Sequence, residues 1–185
     1  MIIEHKEDIT SNFEGTIIDI ETIGDFLNQY PDSDSRQYKD IRLVIFGFIN
    51  RHALHIFCAR GMEAINELKE KTVDIIDNLE RPFYAFRSEF ERGVWFHQLS
   101  KKVDFDGELQ RYRRESKRIA RTELDIPNYG DPFNGKGKLC MEAWLREEFD
   151  KAIAHNRACL LKERDILIKR GFRKPDGLKF VNKSK

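Results

Sequence analysis

The chain has 185 residues, 40% of them apolar, enough for one globular domain with a core and too few for two independent ones. Lys and Arg total 33 against 32 Asp and Glu, so the net charge is +1 and any attraction to nucleic acid or a membrane must come from a local patch. The longest apolar run, LVIFGFI at Leu43 to Ile49, is far shorter than the roughly 20 residues of a membrane helix.

The start, MIIEHKEDIT, carries acids where a signal peptide would be apolar, and the cysteines at 58, 140 and 159 show no Cys-x-x-Cys spacing. These features imply a reduced, cytoplasmic protein with no structural zinc site and no membrane partner.

Residues 13–19 (FEGTIID) are apolar and β-branched and end in acids, the pattern of a strand with carboxylates at its C-terminal end. A polar loop at 24–40 follows, then IRLVIFGFI (41–49) and ALHIFC (53–58), which form a hairpin across Asn50-Arg51-His52. Ile65, Leu68, Val73, Ile76 and Leu79 fall at helical spacing within 63–79. PFYAF (82–86) reads as a short strand and 89–99 as a helix that tolerates Gly93. This order predicts an α/β fold, a mixed sheet flanked by helices.

Residues 108–124 read as a helix or arm dominated by charge, and 125–138, with two prolines and three glycines in 14 residues, as an irregular loop. A single helix is expected over 139–170, stopped by Gly171. The domain is expected to span 1–171, with 172–185 a loosely attached basic tail.

Asp19 and Glu21 stand two apart on a strand and so project to one side. Two carboxylates held together repel unless a cation lies between them, and a hard divalent ion such as Mg²⁺ or Mn²⁺ suits their oxygens. The arm from Arg111 to Arg121 carries six basic residues and one acid, a local charge of +5. Such a concentration can hold a nucleic-acid backbone, with Tyr112 available for stacking.

The string GTIIDIET resembles the first motif of the DEDD-type 3′-to-5′ exonucleases, whose members have a ribonuclease H-like fold. A second acid in that family follows a Phe on a helix after the fourth strand. Phe90-Glu91 stands there, 72 positions after Asp19 (91 minus 19) and after PFYAF, with Glu89 as the weaker candidate. Arg87 occupies a place where relatives often carry Asn. The third motif is a late helix with His or Tyr followed by Asp, and His155-Asn156 resembles its start, although Cys159 and Leu160 stand where the Asp is expected.

The resemblance implies metal ligation by Asp19, Glu21 and Glu91, and a general-base role for His155, whose ordinary pKa is near 6.5. At roughly 100° per residue, Cys159 lies about 40° from His155, Lys162 about 20° to the other side and Glu163 about 80° away, while Asp165 points elsewhere. Glu163 is therefore the candidate fourth ligand, reaching back one turn, and Lys162 a phosphate contact. The resemblance implies two-metal hydrolysis of single-stranded DNA or RNA, contacted by Thr22, Arg111, Tyr112, Arg113, Arg114, Lys117, Arg118 and Lys162. The other reading is a nuclease-like domain that lost catalysis with its fourth acid and now binds nucleic acid or assembles with partners.

Overall fold

The computed structural model describes residues 1–182. Six strands form one sheet: β1 (Ile2–Asp8), β2 (Thr16–Ile23), β3 (Arg42–Ile49), β4 (Ala53–Ala59), β5 (Phe83–Ala85) and β6 (Gly107–Glu108), in the order β1-β4-β3-β2-β5-β6. The strands β1, β4, β3 and β2 pair antiparallel, and β2, β5 and β6 pair parallel. Helices are α1 (Ile65–Ile76), α2 (Ser88–Gln98), α3 (Lys117–Glu123), α4 (Gly137–Leu145) and α5 (Phe149–Arg170). The expected α/β class and hairpin are present.

Neighbouring residues of β3 show that helices cover both faces. Phe46 meets Trp95 of α2, with ring centroids 6.3 Å apart, whereas Gly47 faces α5, where an added Cβ would lie 2.0 Å from Asn156 Oδ1. A sheet buried on both sides needs continuous apolar strands rather than alternating ones, which is why β2 and β3 read as they do. Gly93, inside α2, is likewise required by packing, since a Cβ there would lie 2.2 Å from the Tyr38 ring.

Several expectations are corrected. The first acidic strand runs to Ile23, so Asp19 and Glu21 lie within it. The alternating, charge-bearing Ile2–Asp8 is an additional edge strand beside β4. Over 108–124 the only helix is α3, preceded by β6 and an arm that turns at 111–115, where the Glu115 N–H donates to the Tyr112 carbonyl at 2.9 Å. The long C-terminal helix is two helices, because Glu147 adopts a left-handed φ of 62° and turns α4 back against α5.

The segment after Gly171 is docked rather than loose. Arg173 and Glu108 exchange backbone hydrogen bonds of 2.9 Å, Lys179 donates to the Ser33 carbonyl at 2.8 Å, and Val181 donates to Ser35 Oγ at 2.9 Å. Residues 183–185 of the expected tail lie outside the described residues. Among the described residues no helix is long and apolar enough to cross a membrane.

Candidate metal and nucleic-acid site

The site forms where β2 extends beyond β5, which pairs with it only at Thr16 and Ile17. Asp19 lies opposite Gly47 in the β2–β3 register. The missing side chain at Gly47 admits Asn156 of α5, whose Nδ2 donates to Asp19 Oδ2 at 2.9 Å and to the Asp19 carbonyl at 3.3 Å. The helix and the strand are thereby held in one register.

Glu91 arrives from the first turn of α2, which starts after β5, and lines a cavity of about 880 Å³ together with Asp19, Glu21, Thr22, His155 and Cys159. Glu89 does not line it: its carboxylate accepts from Arg87 Nε at 3.2 Å and groups with Glu108 and Asp176. Of the two candidate acids, the structure brings Glu91 to the cavity.

Glu163 joins the set from α5, fully buried. The feature absent from the sequence reading is the place of Lys117. Its ammonium is paired with Asp19 Oδ1 and lies 2.6 Å from Glu163 Oε1, so it is a cation inside the carboxylate set rather than on an exposed arm. Burial opposes the charge on Lys117, but Asp19, Cys159, Glu163 and Glu21 outweigh it and raise its pKa well above normal. Glu91 Oε2 and Glu163 Oε2 are buried without a hydrogen-bond partner.

Burial pushes Glu21 up to about 7, assisted by Asp19 and opposed by His155. Burial also raises Glu91, with repulsion from Asp19 and Glu163 adding to it. Glu163 is raised by burial although Lys117 opposes this. Acids crowded in this way favour a proton or a cation.

His155 is positioned by a residue that the sequence reading did not single out. Its Nδ1 lies 2.7 Å from Asp131 Oδ1 and its Nε2 3.7 Å from Glu21 Oε1. Asp131 also accepts from Lys162 Nζ at 2.6 Å and from the backbone N–H groups of Phe133 (2.9 Å) and Gly135 (2.7 Å). Two cationic side chains and two N–H groups keep Asp131 ionised well below the usual range although burial opposes this. Burial favours a neutral His155 ring, but Cys159, Glu21 and Asp131 outweigh it and push the pKa up to about 11. The expectation of an ordinary value near 6.5 is thus revised, because a carboxylate stands on each side of the ring. The signal in the sequence was an Asp between Gly130 and Pro132, in a loop whose geometry the Asp itself organises.

The basic residues divide. Arg113, Arg114 and Lys138 line the cavity beside Ser116 and Thr22, and Arg118 is exposed on α3. Arg111 lines a separate cavity with Arg170 and Arg173, and Tyr112 is exposed outside the main one. Lys162 is corrected outright: it is buried on Asp131 and available to no phosphate. The arm is held by Glu115, which accepts from the Arg111 N–H at 2.6 Å and takes both ends of the Arg170 guanidinium at 2.6 and 2.7 Å. Comparison with known protein families, with curated proteins and with solved structures finds no match.

Proposed function

We propose that the chain is a metal-dependent nuclease of the DEDD exonuclease type, acting on single-stranded DNA or RNA. The observation that carries this reading is the convergence of Asp19, Glu21 and Glu91 at a cavity lined also by Arg113, Arg114 and Lys138, with Glu163 of a third element buried behind them on Lys117. The strand order, with an antiparallel meander of β4, β3 and β2 followed by parallel β5 and β6, supports a ribonuclease H-like fold carrying one further edge strand.

The donor set fits Mg²⁺ or Mn²⁺, since four carboxylates supply hard oxygens and two of those oxygens are buried without a partner. Asp19, Glu21, Glu91 and Glu163 would hold the ions. Divalent ions held there would supply phosphate-charge neutralisation and water activation, and Glu21, engaged by them, would hold the His155 proton less strongly. Arg113, Arg114 and Lys138 bind the phosphate backbone, and Thr22 and Ser116 line the same cavity. Asp131 fixes the imidazole through Nδ1, and Nε2, which holds a proton while Glu21 faces it, would take one from the attacking water only after releasing the proton it carries, once Glu21 is engaged elsewhere.

Lys117 favours a second reading. An ammonium already paired with Asp19 and Glu163 supplies the charge that an ion would bring, which suits a domain that binds nucleic acid without cutting it. End-labelled single-stranded DNA and RNA incubated with Mg²⁺, Mn²⁺ or EDTA distinguish the two. The nuclease gives stepwise shortening that disappears in EDTA and in Asp19→Asn; the binding domain retards both strands on a gel and shortens neither.

A further inference from the structure

Two of the cysteines, unremarkable in their sequence spacing, each stand in a cluster of metal-ligating groups that includes Glu21. Cys140 of α4 and Cys159 of α5 are free thiols, 0% and 3% exposed, brought to the same side of β2 by the turn at Glu147. The ligand atoms of Glu21, Cys140 and His155 lie within 4.8 Å of one another, as do those of Asp19, Glu21 and Cys159. Cys159 Sγ lies 3.7 Å from His155 Nε2, and Glu21 Oε1 lies 3.7 Å from the same nitrogen.

These separations can be set against a zinc centre. With Zn–S near 2.3 Å and Zn–N and Zn–O near 2.0–2.1 Å, a tetrahedral angle places S and N roughly 3.5 Å apart and N and O roughly 3.3 Å apart. The two 3.7 Å distances are longer by a few tenths of an ångström, a difference that small side-chain rotations close, and Cys140 Sγ, within 4.8 Å of ligand atoms of Glu21 and His155, has to swing inward to complete the set. A second observation points the same way. Asp131 Oδ1 lies 2.7 Å from His155 Nδ1, the carboxylate behind the imidazole that fixes a metal-binding histidine's tautomer and leaves Nε2 as the donor. Thiolate and imidazole select zinc over magnesium.

We propose that Glu21, Cys140, His155 and Cys159 form a binding site for a thiophilic divalent cation, Zn²⁺ above all, adjoining the hard-oxygen set and sharing Glu21 with it. Lys117, paired with both Asp19 and Glu163, already places one positive charge among the oxygen donors next to this cluster. The proposal stands apart from the nuclease reading, because it concerns binding and holds for an inactive domain as well. Zinc on Nε2 also competes with the proton assigned to that atom above.

The test uses the full chain, freed of metal by chelation and titrated with ZnCl₂ by calorimetry and with CoCl₂ by absorbance. Expected are one equivalent of zinc and, with cobalt, a thiolate-to-metal charge-transfer band in the near ultraviolet. Cys140→Ser and Cys159→Ser should each weaken zinc at least tenfold, the double variant should lose the band, and Asp131→Asn should weaken zinc by about 10–100-fold. Glu91→Gln should keep zinc affinity whether or not the protein cuts nucleic acid, so the two readings fail separately. A wild-type cobalt complex with no sulfur band overturns the proposal even if the cysteine variants do not fold. Zinc affinity unchanged in a folded double variant overturns it too.

Discussion

Lys117 Nζ lies 2.6 Å from Glu163 Oε1, joining the first residue of α3 to the middle of α5 within a set of four acids. Removing one partner of a buried ion pair leaves an uncompensated charge, at a cost of about 3–5 kcal/mol. Lys117→Met should therefore lower the melting temperature in EDTA. It should also gain more from Mg²⁺ or Mn²⁺ than the wild type does, because an ion then takes over the charge balance at Asp19 and Glu163. Melting curves with and without metal check this, and equal metal shifts in both proteins would refute it.

Glu91 provides the complementary case. Its folded-state pKa is raised by burial, so its contribution to stability is present at low pH and is lost as pH rises from the ordinary carboxylate range through the folded value. Glu91→Gln undergoes no such loss. The variant should melt at or above the wild type at pH 8, near it at pH 4, and be inactive at both. Differential scanning calorimetry at the two pH values gives the answer.

Asp131→Asn removes the carboxylate that Lys162 and His155 share, leaving Lys162 buried without its partner. Destabilisation of about 3–5 kcal/mol is expected at neutral pH. The sign with pH is opposite to that of Glu91. A depressed carboxylate contributes above its unfolded value of 3.8 and loses that contribution as pH falls through the folded value. Urea melts should show the gap between variant and wild type narrowing below about pH 4.

Arg113 and Arg114 line the cavity, whereas Arg111 faces another and Lys162 is buried. Replacing Arg113 and Arg114 together with Ala should reduce the salt dependence of single-strand binding by about 0.7 counterions per lost phosphate contact. Lys162→Met should leave that slope unchanged, even if it melts lower. Fluorescence anisotropy across a salt series measures both.

What the sequence determined by itself lies in its local patterns. Apolar runs at 41–49 and 53–58 announced a buried hairpin in a sheet flanked by helices, and the two-residue spacing of Asp19 and Glu21 put both carboxylates on one side of a strand. Helical angle placed Glu163 within reach of the site across one turn, and in the structure it is paired with Lys117 there. These inferences needed only the period of a strand or a helix. The tertiary structure decided the rest. Lys117 stood in a run of positive charge and looked like its neighbours, yet Glu115 and Arg170 fix the arm so that this one ammonium turns inward. Asp131, 24 residues from His155, meets it only because the loop folds around the Asp's own hydrogen bonds. Cys140 and Cys159 both come within reach of Glu21 because Glu147 breaks a helix that the apolar pattern carried through. Sequence period reports which face of an element a residue occupies, and only the packing of one element on another reports what that face meets.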